Sequence, residues 1–209
     1  MSTLYIKMRF IVKNVLAITS SLQTGAGNST KLVDHYLTQL DGSASVVRRD
    51  LAQTNIPHLT DVEMAAWATS PDERNAAQQQ LAQLSDDIIS EVNNAEEIVL
   101  GVPMYNFGIP SVLKAWIDRI GRAGVTFTYT ENGPQGLLGG KKVTILAARG
   151  GMYAGTALDT QTEYLRNFWN FVGVTDVEFV YAEGLAMGEK SANKAWKNAE
   201  EKILELIGK

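Results

Sequence analysis

Five short apolar runs, each followed by a stretch with helical periodicity, constrain this chain more than any other feature. The runs are Val15-Leu16-Ala17-Ile18, Ser45-Val46-Val47, Ile98-Val99-Leu100-Gly101-Val102, Val143 to Ala148, and Asp176 to Tyr181. Short apolar runs rich in β-branched residues read as strands, with Val15 to Ile18 buried on both faces and Ile98 to Val102 a buried strand, the pattern of parallel sheets. Between them, apolar residues recur three and four apart: Leu32, Val33, Tyr36, Leu37 and Leu40; then Leu81, Leu84, Ile88, Ile89 and Val92; then Leu113, Trp116, Ile117 and Ile120. Leu165, Phe168, Trp169 and Phe171 continue the pattern, and Ala192 to Ile207 closes it. This spacing predicts helices over 30–40, 71–93, 111–120, 158–172 and 190–207, with a short one near 62–68. Pro71 and Asp72 read as a helix start, and Ser111 as an N-cap. Strand–helix alternation requires right-handed crossovers to a parallel sheet with helices on both faces. Five such units fit the strand order 2-1-3-4-5.

The rest of the chain narrows the function classes. With 209 residues, 45% of them apolar, residues 12–209 suit one domain with a full core. Residues 1–11 match nothing that follows and read as an N-terminal extension. Lys7, Arg9 and Phe10-Ile11-Val12 begin like a secretory leader, but Lys13 and Asn14 break the apolar run too early. No stretch approaches a membrane span, so a cytoplasmic protein without membrane contact is expected. A net charge of −4 leaves no basic excess for nucleic acid. There is no cysteine, and His35 and His58 lie in unrelated contexts, so no metal site is expected.

Strands 1, 3 and 4 of the expected order are neighbours, and each ends in a loop of unusual chemistry. The first, Ser21 to Ser29, carries hydroxyls and the glycines Gly25 and Gly27 at the start of a helix. Free amides and hydroxyls there make a cradle for phosphate. Gly25-Ala26-Gly27 begins like a dinucleotide fingerprint, but Thr30 stands where the third glycine belongs, although Asp50 could pass for a ribose-binding acid. The second loop, Pro103 to Pro110, offers the Asn106 amide and a Tyr105 or Phe107 wall for a flat heteroaromatic ring. The third, Arg149-Gly150-Gly151, lets main chain approach a ring edge, because glycine has no Cβ. Singly, each loop fits an ordinary strand-to-helix turn. Together, on adjacent strand ends, they describe a site for a mononucleotide with a flat head, FMN.

Met104-Tyr105-Asn106-Phe107, Leu113-Lys114-x-Trp116-Ile117-Asp118, Arg122-Ala123-Gly124-Val125-Thr126-Phe127, Tyr129-Thr130-Glu131-Asn132-Gly133-Pro134 and Arg149-Gly150-Gly151 closely resemble the FMN-dependent NADH azoreductases, also called NADH:quinone reductases. Their older label was acyl carrier protein phosphodiesterase. The resemblance runs from Val12 to the C-terminus and implies a flavodoxin-like homodimer with one FMN per subunit, near the subunit boundary. It assigns Ser21, Gly27, Asn28 and Ser29 to the phosphate, Met104, Tyr105, Asn106 and Phe107 to the ring, and Ala148, Arg149, Gly150 and Gly151 to the ring edge. Gly27 and Ala148 stand where relatives can have serine, which removes a hydroxyl from each position and leaves its amide.

The resemblance further implies a ping-pong reaction in which NADH passes a hydride to flavin N5 and an azo compound or quinone then takes the electron pair. The flavin carries that chemistry, so no acid–base residue is assigned, and Arg149 is a candidate to add charge at the reduced ring edge. Phe127, Tyr129, Phe168, Trp169 and Phe171 are candidate walls for a stacked acceptor, from either subunit. Three rivals fit less well. An electron-transfer flavodoxin would be more acidic and would lack the segment 123–140. A dinucleotide-fold reductase needs the full glycine fingerprint, and a phosphodiesterase needs metal ligands or a nucleophile.

Overall fold

The computed structural model describes residues 13–40, 42 and 44–208. The extension expected at 1–11, and Val12 with it, lie outside them. The main sheet comprises β1 (Lys13–Thr19), β2 (Ala44–Asp50), β3 (Glu97–Pro103), β6 (Lys142–Ala148) and β7 (Asp176–Ala182), all parallel, in the order β2-β1-β3-β6-β7. This is the expected order, with β6 and β7 as its fourth and fifth strands. The helices are α1 (Asn28–Gln39), α2 (Asp61–Ala68), α3 (Ala76–Asn94), α4 (Ser111–Ile120), α5 (Thr162–Phe171) and α6 (Glu189–Ile207). Among the described residues, no helix is long and apolar enough to cross a membrane.

Side chains alternate across the sheet and build two apolar layers. Leu16, Ile18, Ile98, Leu100 and Ile145 face α3, α4 and α5, where Ile88, Trp116 and Trp169 meet them. Val15, Ala17, Val99 and Leu146 face α1 and α6, against Leu32, Val33 and Ile203. Every residue of β3 is buried, as a central strand requires. Gly101 lets the first turn of α1 lie directly on that strand: a Cβ there would stand 2.8 Å from Val33 Cγ2 and 2.9 Å from the Ser29 carbonyl oxygen. The absence of a side chain at 101 therefore sets where the α1 N-terminus sits.

The segment 123–140 forms a hairpin of its own, β4 (Phe127–Thr130) with β5 (Gly133–Gly136), antiparallel and separate from the main sheet. It docks on the turn after α5. Leu138 N donates to the Val172 carbonyl at 2.8 Å, and a Cβ on Gly136 would stand 2.0 Å from Gly173 N.

Three helix starts differ from expectation, the first being α5, which begins at Thr162 and not near Leu158, because residues 156–160 form turns. Pro71–Glu73 is a single 3-10 turn, and α3 begins only at Ala76. The reason is a capping box: Asn75 Oδ1 accepts from Gln78 N, and Gln78 Oε1 accepts from Asn75 N, both at 3.0 Å. Pro110, not Ser111, holds the N-cap position of α4, and Ser111 is its first helical residue.

Candidate functional site

The three loops after β1, β3 and β6 meet at the carboxyl end of the sheet. Ser21, Gly27, Asn28, Met104, Tyr105, Ala148, Arg149 and Gly150 border one cleft of about 210 Å³. Leu185 and Ala186, from the loop after β7, complete its lining.

Tyr105 ties the first loop to the second. Its phenol oxygen accepts from Leu22 N at 3.2 Å and shares a hydrogen bond with Ser21 Oγ at 3.3 Å. Met104 N donates to the Ala148 carbonyl at 3.2 Å, joining the second loop to the third. Beyond β6, Gly184 N, Leu185 N and Ala186 N donate to the carbonyls of Gly151, Arg149 and Gly150. Main-chain hydrogen bonds therefore fix the floor of the cleft.

The α1 end of the cleft is built to receive an anion. Gly27 is the N-cap and supplies no side-chain cap, so the first-turn amides of Asn28, Ser29 and Thr30 have no acceptor among the described residues. Ser29 is fully buried, and its hydroxyl has no hydrogen-bond partner there. An unmade hydrogen bond at a helix N-terminus is what a phosphate oxygen would satisfy. At Gly27 a Cβ would stand 2.1 Å from Ser21 Oγ and 2.6 Å from Ser21 Cβ, so Ser21 already fills the space of a residue-27 side chain.

The turn after β3 carries amides and aromatics outside that lining, and Phe107 borders a separate cavity of about 470 Å³ with His58 and Tyr164. Asn106 and Phe107 both adopt left-handed backbone, with φ of 50° and 62°. They form a two-residue turn closed by reciprocal bonds between Tyr105 and Gly108, at 3.1 and 2.9 Å. Phe107 is half exposed and meets Tyr153 edge-on, ring centroids 5.6 Å apart. A Cβ on Gly151 would lie 2.6 Å from the Tyr153 hydroxyl oxygen, which places Tyr153 over the third loop as well. The amides of Gly150 and Gly151 have no acceptor among the described residues, whereas Arg149 N is committed to the Ala182 carbonyl.

The structure corrects two expectations. Arg149 adds no charge to the cleft, because its guanidinium is fully buried and spoken for. Nη2 pairs with Asp159 at 2.8 Å, Nη1 with Glu183 at 3.0 Å, and Nε donates to Gln161 Oε1 at 3.1 Å, with the Tyr181 ring 5.0 Å away. Burial would raise the Asp159 carboxyl, but the bonds from Arg149 and Thr162 outweigh it and hold it below the usual range. Trp169 cannot be an acceptor wall. It is fully buried against Trp116, because the amphipathic stripe of α5 turns it onto the sheet. Phe127, Tyr129, Phe168 and Phe171 do not border the cleft either. Phe127 packs on Phe171 at 4.3 Å, and Tyr129, edge-on to Phe127, is the most exposed of the group.

Tyr153 and Gln161 are site residues that the sequence did not single out. Both follow the third loop in a stretch without periodicity, so no pattern marked them.

A larger cavity of about 530 Å³ lies at the amino-terminal end of the sheet, bordered by Lys13, Tyr36, Glu97 and Lys142. Burial, then the bond to Glu97, pushes the Tyr36 phenol far up; burial would also raise Glu97, but Lys13 and Tyr36 hold it down. The Lys13, Tyr36, Glu97 and Lys142 side chains pair with one another, and ligands of open α/β sheets bind at the other end, which makes the smaller cleft the candidate site. His58 is exposed, and among the described residues no group of three or more acids and histidines is placed to hold a metal ion.

A five-stranded parallel sheet with a phosphate-ready helix N-terminus at its switch point defines a flavodoxin-like α/β protein. The chain belongs to the Flavodoxin_2 family, described as a flavodoxin-like fold, whose model matches residues 13–207. It is 58% identical over 197 residues to an FMN-dependent NADH:quinone oxidoreductase of Alteromonas mediterranea, covering 93% of this chain and 98% of that one. A protein of the same name from Dechloromonas aromatica is 50% identical over 196 residues, covering 92% and 98%. Among solved structures, an azoreductase from Bacillus anthracis strain Sterne superposes with a TM-score of 0.85 at 26% identity, covering 93% and 98%. An FMN-dependent NADH-azoreductase from the Ames Ancestor strain, in complex with FMN, gives 0.81 at 26% identity, covering 93% and 99%. The resemblance read from the sequence is borne out.

Proposed function

We propose that residues 12–209 form one FMN-binding domain of an oxidoreductase that transfers electron pairs from NADH to quinones and azo compounds. The names of the relatives support the reaction class. One observation supports the cofactor: a buried Ser29 hydroxyl without a partner among the described residues lies beside the free first-turn amides of α1, next to a cleft bordered by Gly27, Asn28 and Gly150.

When bound, FMN supplies the redox chemistry by taking up a hydride equivalent from NADH and returning an electron pair to the acceptor. The protein's own residues bind and orient. Ser29 Oγ and the amides of Asn28 and Ser29 hold the phosphate, with Ser21 and Gly27 shaping the cradle. Met104 offers an apolar face to the ring, Asn106 and Phe107 present amides, and Tyr153 backs Phe107. Tyr105 acts as a strut between loops rather than as a wall. Gly150 and Gly151 donate amides to the ring edge where negative charge grows, which neutral dipoles can stabilise without Arg149. Ala148 leaves room beside them.

With one such cleft, donor and acceptor would occupy the site in turn, NADH leaving before the acceptor enters, which is the ping-pong order. In a homodimer an outer wall for the acceptor would come from a second subunit, and Tyr129 on the β4–β5 hairpin, 73% exposed and packed on Phe127 and through it Phe171, is the candidate, with Phe168 as an alternative. Flat, apolar acceptors are then preferred over aliphatic ones. The test is the purified protein's visible spectrum: flavin absorbance that bleaches with NADH under argon and returns with a quinone supports the reading. A colourless protein that does not take up added FMN refutes it.

A further inference from the structure

The turn that carries Asn106 and Phe107 is left-handed at both central residues, a backbone that Asn106 tolerates and the bulky Phe107 does not favour. Something outside the turn must hold it. Gln161, buried at the start of α5, donates from Nε2 to the Pro103 carbonyl and to the Gly108 carbonyl, both at 3.0 Å. Those two carbonyls are the feet of the turn. Thr160 Oγ1 adds a bond to the Phe107 carbonyl.

A glutamine amide can be flipped, so its donor end needs a reason to face the loop. Arg149 supplies it. A guanidinium has donors only, so its Nε must meet the amide oxygen, and that leaves Nε2 for the two carbonyls. Arg149 is in turn immobilised by Asp159, Glu183 and Thr162, which come from the loop before α5, the end of β7 and α5 itself. Glu183 also accepts from Tyr153 N at 3.0 Å, so the same network sets the residue that backs Phe107.

We propose that Gln161 is a positioning residue for the cofactor: oriented by Arg149, it holds the 104–108 turn in the shape that presents Asn106 and Phe107 to the ring. The inference rests on the FMN reading above. It also assigns Arg149 a task other than charge, namely fixing the direction of a neutral amide.

Gln161→Glu is the decisive substitution, because it keeps length and the Arg149 contact while placing a carboxylate oxygen against two carbonyls. The apoprotein should melt earlier, because the Pro103 and Gly108 carbonyls lose their donor, but should still fold, since Arg149 retains its acceptor. Amide hydrogen exchange at Tyr105 and Gly108, whose bonds close the turn, should accelerate, FMN Kd should rise about tenfold or more, and the visible circular dichroism of bound flavin should change. Wild-type exchange, affinity and dichroism in a folded variant would overturn the proposal. Should the glutamate variant not fold, Gln161→Met, which loses both donors, is read by the same three measurements. If the unsubstituted protein itself binds no FMN, the cofactor reading fails, and the exchange comparison between the apoproteins still decides whether Gln161 holds the turn.

Discussion

Replacing Ser29 with alanine should move stability and cofactor affinity in opposite directions. The side chain is fully buried, and its hydroxyl has no partner among the described residues. A buried, unsatisfied hydroxyl costs about 1–3 kcal/mol, so Ser29→Ala should leave the apoprotein as stable as before or more so. For a chain of this length each kcal/mol regained raises the melting temperature by about 2–4 °C. With FMN bound, the same hydroxyl faces a phosphate, and a hydrogen bond to a charged group contributes about 1.5–3 kcal/mol. Losing it corresponds to a Kd about tenfold to a hundredfold weaker. The assay pairs thermal denaturation of flavin-free protein with a titration that follows quenching of FMN fluorescence. A variant that melts earlier and binds FMN as tightly as its parent would show that the hydroxyl serves the fold, and the cradle assignment would be wrong.

Other expectations follow from the same geometry. Asn106→Leu should weaken FMN binding and cost about 1–2 kcal/mol of apoprotein stability, because a branched apolar residue resists the left-handed backbone that Asn106 tolerates; an unchanged titration and melt would refute it. Gly136→Ala should destabilise by about 1–3 kcal/mol, because the added carbon meets Gly173 backbone, which cannot rotate aside; thermal denaturation reads this, and wild-type melting would show that the hairpin does not dock there. The Asp159 carboxyl is depressed in the folded state, so its contribution is present above the unfolded pKa of about 3.9 and is lost as pH falls through the lower folded value. Asp159→Asn should therefore melt earlier than the parent at neutral pH, and the two curves should converge below about pH 4; parallel curves down to strong acid would contradict the Arg149 pairing.

Periodicity carried most of the architecture. The apolar runs at 15–18, 98–102 and 143–148 are buried on both faces, and a run with no polar side leaves no other stable placement than the middle of a covered sheet. Helix starts were less legible, because Pro71 is a strong local signal but the Asn75–Gln78 capping box, two reciprocal bonds, prevails over it. Loop chemistry marked the three turns only in combination, since each alone fits an ordinary strand-to-helix turn and their meaning came from lying on adjacent strand ends.

Side-chain direction was beyond the sequence. Arg149 beside two glycines reads as a charge for the ligand until Asp159, ten residues on, and Glu183, from the end of the next strand, claim it. Trp169 and Tyr129 are both aromatics in the same half of the chain, yet one is sealed in the core and the other stands in solvent. What the sequence by itself determined is which segments are buried, in what order they pair, and therefore which three turns share one end of the sheet. What only the tertiary structure decided is how polar groups far apart in the chain satisfy one another. A hydrogen bond depends on where its partner arrives in space, and hydrophobic patterning does not encode that.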